Sequence, residues 1–188
     1  MLLMKVEASR LEDVVVIEPK VFSDSRGLFM EIWNQNRYAE IGLDAVFVQD
    51  NISRSCQGVL RGLHFQNPDP QGKLVQVLEG QIYDVAVDIR SDSKHFGEWV
   101  GVALSEHNNR QLYVPEGYAH GFCVLSKKAT VVYKCTGFYN FETEKCLRWD
   151  DPDLAIEWPI SGPSLSEKDR CGQWLRDFES GVLPTIAN

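Results

Sequence analysis

The chain has 188 residues, of which 44% are hydrophobic, and a formal net charge of −8. That length and apolar content exclude a disordered chain and suit one domain, residues 1–188, with its own core. The acidic balance argues against a nucleic-acid binder, which needs a basic surface, but leaves an anionic small molecule open wherever cations cluster locally.

No apolar run approaches the roughly 18 residues of a membrane helix. The segment Met1–Glu7 lacks the long apolar stretch of a secretory leader. The five cysteines are odd in number and show no C-x-x-C spacing, which suits reduced thiols better than a disulfide framework or zinc site. These features predict a cytoplasmic protein that does not engage a membrane.

In chain order, Val14–Ile17 before Pro19 predicts a first strand, Phe22–Gly27 a polar turn, and Leu28–Trp33 a short strand. Asn34–Leu43 predicts a short helix with Asn34 as its cap and Gly42 near its end. Strands are then expected at Ala45–Ser53, Gly58–Gln66, Leu74–Leu78 and Ile82–Ile89, the last two flanking a hairpin signal at Glu79-Gly80-Gln81. Glu98–Leu104, Gln111–Val114, Phe122–Leu125 and Thr130–Tyr139 complete the series. About eight to ten short strands with close turn signals predict an all-β sandwich or barrel. A capping pattern at Ser164–Glu167 predicts a C-terminal helix running through Lys168, Asp169, Trp174 and Leu175 and packing on the strands.

The stretch Gly58–Gln66 places Arg61, His64 and Gln66 in an apolar, β-leaning run. Its spacing resembles the first motif of the cupin superfamily, small jelly-roll barrels. Gly58, five residues, then His64-Phe65-Gln66 match its front, and Lys73, six residues, then Gly80 match its back. Pro115-x-Gly117-x-x-His120 matches the core of the second motif. Metal-binding cupins use two histidines and a glutamate where this chain has His64, Gln66 and Lys73. An ammonium cannot ligate while protonated, so the resemblance is to a cupin without its metal, holding a cation on a side chain instead.

A closer resemblance rests on several motifs in order: Gln49-Asp50-Asn51, Arg61-Gly62-Leu63-His64-Phe65-Gln66, Pro115-x-Gly-x-x-His120-Gly121-Phe122, Tyr133-Lys134-Cys135-Thr136-x-x-Tyr139 and Ser166-Glu167-Lys168-Asp169. From about Val15 to Trp174 the chain resembles the dTDP-4-dehydrorhamnose 3,5-epimerase family. The resemblance implies a cupin-type jelly roll with short peripheral helices, no cofactor, a dTDP-4-keto-6-deoxyhexose substrate and a homodimer. It implies catalytic roles for His64 as base, Asp169 as the carboxylate orienting it, Tyr133 as acid and Lys73 at the enolate oxygen. It implies substrate contacts for Arg26, Glu31, Gln49, Asp50, Asn51, Arg61, His120, Tyr139, Glu144 and Lys168, with Arg26 and Glu31 serving the neighbouring subunit.

Two features of the sequence qualify that transfer. Arg61 and His64 are three positions apart, so a flat strand would aim them oppositely. Gly62 would have to carry a bulge that re-aims one of them. The family's Tyr-Tyr-x-Pro stands here as Phe138-Tyr139-Asn140-Phe141, which loosens the loop before Glu144. Three alternatives remain at this level: an epimerase acting at C3 alone, a metal-dependent cupin oxygenase, and a non-catalytic sugar-nucleotide binding module.

Overall fold

The computed structural model describes residues 4–179 and 181–186, so Met1–Leu3 of the segment read for a leader lie outside it. The elements in order are β1 (Met4–Ala8), β2 (Val15–Pro19), β3 (Val21–Asp24), β4 (Gly27–Met30), α1 (Gln35–Glu40), β5 (Gln49–Cys56), β6 (Leu60–Gln66), β7 (Lys73–Glu79) and β8 (Gln81–Asp88). They continue with β9 (Trp99–Ser105), β10 (Gln111–Val114), β11 (Tyr118–Val124), β12 (Lys128–Cys135), β13 (Glu144–Cys146) and α2 (Glu167–Arg170). A six-stranded sheet of order β1-β2-β10-β7-β12-β5 faces a five-stranded sheet of order β13-β6-β11-β8-β9, and β3-β4 forms a separate hairpin. This is the all-β, cupin-type jelly roll with few short helices. No helix among the described residues is long and apolar enough to cross a membrane.

The main core lies between the two sheets, where Val75, Val77, Leu112, Val114 and Val131 meet Ile82, Ala86, Leu104, Phe122 and Val124. The outer face of the five-stranded sheet is covered by the C-terminal segment, which sets Leu154, Leu175, Trp158 and Phe178 against Leu63, Phe65, Val85 and Val87. All seven residues of β11 are buried as a result, since that strand is covered on both faces. On the outer face of the six-stranded sheet, α1 lays Tyr38 against Ile17 and Leu74, with Trp33, Ile41 and Phe47 packed around it. Tyr38 is fully buried, and its hydroxyl donates to Gln111 Oε1 at 2.7 Å.

Several expectations change. Glu79-Gly80-Gln81 is not a hairpin: β7 pairs with β10 and β12, whereas β8 pairs with β9 and β11, so Gly80 turns the chain from one sheet into the other. Phe22–Gly27 is itself a hairpin, because Val21–Asp24 pairs with Gly27–Met30. The strand expected to reach Trp33 stops at Met30. The Ile32 carbonyl accepts from Gln111 Nε2 at 2.7 Å and Trp33 turns inward onto Tyr38 and Phe47. The α1 cap is as expected, with Asn34 Oδ1 accepting from the Arg37 N–H. The C-terminal helix is a single turn capped by Ser166 rather than Ser164. Gln173 leaves it to exchange backbone hydrogen bonds with Cys146 and Arg148.

The bulge required at Gly62 is present. On β11, His120 opposes His64 and Phe122 opposes Arg61, so Gly62 and Leu63 together face the single residue Gly121. Directly opposed residues share a face, which puts Arg61 on the interior side with His64. Gly62 has φ +122°, and a Cβ there would lie 2.5 Å from the Gly121 Cα and 2.8 Å from the His120 carbonyl oxygen. Gly62→Ala therefore combines a strained backbone with a clash between two backbones, and is expected to cost at least ~2 kcal/mol. Gly58→Ala, where a Cβ meets nothing within 4 Å, is expected to cost about 1 kcal/mol. Urea unfolding of the two variants measures the difference, and equal midpoints would refute the close approach.

Candidate active site

The site is built at one end of the space between the sheets. Strand parity decides which side chains enter it. On the six-stranded sheet, Asn51, Tyr133 and Val75 stand opposite one another on adjacent strands, and Lys73 lies two residues from Val75 on the same inner face. On the other sheet, Cys146 opposes His64, Glu144 opposes Gln66, and His64 opposes His120. A cavity of about 200 Å³ between them is lined by Gln49, Asn51, His64, Lys73, Tyr133, Tyr139 and Glu144, together with Phe65, Gln66 and Gln71.

His64 Nε2 lies 2.6 Å from Asp169 Oδ1. Asp169 is 3% exposed. It is fixed from two directions: the Ser166 hydroxyl donates to Oδ2 at 2.6 Å and the Gly62 N–H donates to Oδ1 at 3.3 Å. Burial raises the Asp169 carboxyl, but the hydrogen bonds from His64 and Ser166 outweigh it and leave it below the ordinary carboxylate range. Burial depresses the His64 pKa below its ordinary value of 6.5, and the Asp169 hydrogen bond only partly offsets this. The imidazole is therefore neutral at pH 7, with the nitrogen not held by Asp169 free to accept a proton.

Tyr133 faces His64 from the opposite sheet. Burial raises its pKa and the Arg61 cation partly reverses that, so the phenol keeps its proton at neutral pH. Lys73 is buried, which lowers its pKa, and the nearby carboxylates of Asp84 and Glu144 pull it back. His120 forms a second imidazole–carboxylate pair, with Nε2 at 2.5 Å from Asp84 Oδ1. Asp84 is fully buried and its Oδ2 has no partner among the described residues. At the mouth, Lys168 Nζ and the Tyr139 hydroxyl both donate to Glu144, at 2.7 and 3.0 Å. Burial raises the Glu144 carboxyl, and these bonds bring it below its ordinary range.

The positions at which a cupin would ligate a metal do not suit one. Gln66 has its amide committed to the loop that carries Tyr139. Nε2 donates to the Asp69 and Phe138 carbonyls at 2.7 and 3.2 Å, and Oε1 accepts from the Asn140 N–H at 3.0 Å. The glutamate position is Lys73, and His120 is held by Asp84.

Not every residue expected at the site is brought there. The Asp50 side chain points to the outer face of β5, where it pairs with Lys134 at 2.9 Å, because it alternates with Gln49 and Asn51. Arg26 sits at the tip of the β3-β4 hairpin on Asp24, and Glu31 pairs with Arg37 at 2.7 Å. Both lie away from the cavity of their own chain. Tyr139 reaches the cavity from a loop rather than from the strand face expected, since β12 ends at Cys135. There its N–H donates to Gln49 Oε1 at 2.9 Å. Gln71, Ser166, Asp84 and Cys146 were not anticipated.

A neutral imidazole with a buried carboxylate behind it, a phenol on the facing wall, and a buried lysine where a cupin would place a metal ligand define a cupin-fold acid–base enzyme that moves protons on and off carbon. A model of the dTDP-4-dehydrorhamnose 3,5-epimerase family matches residues 8–177. The dTDP-4-dehydrorhamnose 3,5-epimerase of Shigella flexneri is 54% identical over 178 residues, 94% of this chain and 98% of that one. The crystal structure of a dTDP-6-deoxy-D-glucose-3,5-epimerase from Legionella pneumophila Philadelphia 1, in complex with dTDP-4-keto-L-rhamnose, superposes with a TM-score of 0.94 at 48% identity, covering 97% of this chain and 98% of that one. A dTDP-4-dehydrorhamnose 3-epimerase of Streptomyces niveus is 38% identical, over 98% of this chain and 90% of its own. The chain belongs to the dTDP-4-dehydrorhamnose 3,5-epimerase family and is an isomerase.

With His64 as a general base, kcat/KM is expected to fall toward acid with a midpoint below the ordinary histidine value of 6.5. Asp169→Asn removes the group that raises the His64 pKa. It is expected to move that midpoint to still lower pH and to reduce kcat on the order of 10²-fold or more. An acid limb that does not move in this variant would show that the limb belongs to another group.

Proposed function

We propose that this chain inverts C3 and C5 of dTDP-4-dehydro-6-deoxy-D-glucose, giving dTDP-4-dehydro-L-rhamnose, without a cofactor. The observation that supports it best is the placement of His64 and Tyr133 on facing sheets across one cavity, with Lys73 lining the same cavity from the strand beside Tyr133. Both carbons flank the C4 ketone, so loss of either proton gives an enolate whose negative charge sits on the ketone oxygen. His64 takes the proton from one face. The Lys73 ammonium stabilises the oxyanion in a water-poor setting, where such stabilisation is strongest. Tyr133 returns a proton from the other face, and inversion follows because the two groups lie on opposite sides of the ring. The phenolate left behind lies beside Arg61, which lowers the cost of forming it.

The exposed ring of Tyr139 and the amides of Gln49 and Asn51 suit the nucleobase and sugar, and Arg61 and Lys168 suit the diphosphate. The net charge of −8 fits a small anionic ligand rather than a nucleic acid, and a cytoplasmic location fits the substrate. Residues 1–188 form a single domain in this reading.

The chain acts as a homodimer in this reading. Ile52 and Leu78 are 59% and 47% exposed on the outer face of the six-stranded sheet, beside a cavity of about 300 Å³ lined also by Ile32, Leu74 and Val132. The β3-β4 hairpin projects exposed Phe22, Leu28 and Phe29, and in a dimer it carries Arg26 toward the neighbouring site. The double variant Ile52→Glu, Leu78→Glu is expected to sediment as a monomer. An unchanged dimer would move the interface to another face.

Incubation with the substrate in heavy water, without added cofactor, is expected to place deuterium at both C3 and C5. His64→Asn should lower exchange at both carbons by about 10²–10⁴-fold. Tyr133→Phe should permit washing-in of deuterium with little inversion. Label at C3 alone would place the chain beside the 3-epimerase of Streptomyces niveus. No label from a folded, nucleotide-binding protein would leave a binding module.

A further inference from the structure

One side chain beside His64 and Asp169 has no part in the reaction proposed above. Cys146 on β13 stands opposite His64 on β6, so its thiol shares the interior face of that sheet. Its Sγ is 3.9 Å from Asp169 Oδ1, the oxygen that lies 2.6 Å from His64 Nε2. One ligand atom each of His64, Cys146 and Asp169 lies within 4.8 Å of the other two. An imidazole nitrogen, a thiolate and a carboxylate oxygen are the donor set that zinc takes, at roughly 2.0–2.3 Å. Donors sharing one tetrahedral ion at those lengths sit about 3.3–3.7 Å apart. The distances among the three donors, 2.6 Å, 3.9 Å and within 4.8 Å, bracket that spacing.

We propose that His64, Cys146 and Asp169 form an inhibitory site for a thiophilic divalent cation, with Zn²⁺ the ion that the donor set fits. The site is distinct from the metal position of cupins, where Gln66 and Lys73 stand. On binding, the Cys146 thiol gives its proton to solvent and the sulfur becomes a ligand. The cation takes the lone pair of His64 Nε2, and the proton held between Nε2 and Asp169 moves to the other ring nitrogen. The freed Asp169 oxygen is the third ligand, and water completes the set. No electrons are transferred. The ring nitrogen that faces the substrate then carries a proton and cannot accept one from carbon. The inhibitory part rests on the reading of His64 as the base, whereas the binding part does not. Lys168, whose charge opposes a bound cation, is held on Glu144 at 2.7 Å, and Glu144 supplies negative charge beside the trio.

Cobalt(II) is the probe, because a thiolate ligand gives it a charge-transfer band and tetrahedral coordination gives it intense visible bands. Titrating the full-length protein with Co²⁺ is expected to give both sets of bands, saturating at one ion per chain. Cys146→Ser should lose the thiolate band, whereas Cys56→Ser, Cys171→Ser, which alters the two exposed cysteines, should keep it. In activity assays Zn²⁺ should lower kcat by 10²-fold or more with little change in KM, reversibly with a chelator. Cys146→Ser should raise the inhibitory zinc concentration at least 10-fold. Identical cobalt spectra and zinc sensitivity in Cys146→Ser would overturn the site. A Cys146-dependent cobalt spectrum in an enzyme whose turnover zinc leaves intact would overturn the inhibitory role. Cobalt binding through Cys146 in a protein without deuterium exchange would uphold the site and refute the base assignment instead.

Discussion

The close approach of two backbones at Gly62 and Gly121 is the constraint on which the site depends. No side chain separates β6 from β11 there, and the register slips by one residue. The slip has two consequences. It turns Arg61 onto the same face as His64, where its Nε donates to Ser55 Oγ at 3.1 Å. It also releases the Gly62 N–H from the ladder, and that donor goes to Asp169. A buried N–H without a partner would cost about 1–3 kcal/mol. Here it instead holds the carboxylate that orients the histidine. One irregularity in one strand thus sets both the aim of the base and the position of its partner.

The charges around this strand are costly to bury. Lys73, Asp84 and Asp169 are all buried, and one oxygen of Asp84 has no partner among the described residues. Pairs of this kind add little net stability, because desolvation offsets most of their attraction. The fold tolerates them because they sit at one end of the space between the sheets, while the apolar residues of the main core fill the rest. Sites of this kind, where local rules of burial are broken, are where function is expected to lie.

What the sequence made legible follows the range of the forces involved. The cap of α1 at Asn34 and the limits of Gln111–Val114 depend on neighbours in the chain, and both could be read. The parity of Gln49 and Asn51 was legible too, and it already implied that Asp50 points the other way. The Gly80 turn could not be assigned, because a tight turn looks the same whether its strands pair with each other or cross between sheets. Strand β13 has only three residues, all partly buried, so it carries no alternation to detect. Cys146 was missed for that reason, since its place opposite His64 exists only through that pairing. Ser166 was read as part of a helix start, but its bond to the Asp169 carboxylate depends on a one-turn helix ending where Gln173 joins Cys146.

The same geometry bears on why one fold can support inversion at two carbons or at one. C3 and C5 lie on either side of a single ketone, and one cation at the ketone oxygen serves both enolates. A single base and a single acid can therefore treat both carbons only if the ring presents each of them in turn to His64. The acid–base pair does not decide that, because it is fixed by the sheets: His64 by its bulge and Asp169, Tyr133 by the ladder with Asn51 and Val75. On the proposed roles, the contacts left to decide it are at the edge of the cavity, which Gln71, Tyr139 and Glu144 line from loops and from β13. Gln66 ties that loop down through three hydrogen bonds. The side chain that stands at a cupin's metal-ligand position is thus the one that holds the loop carrying Tyr139 against the cavity.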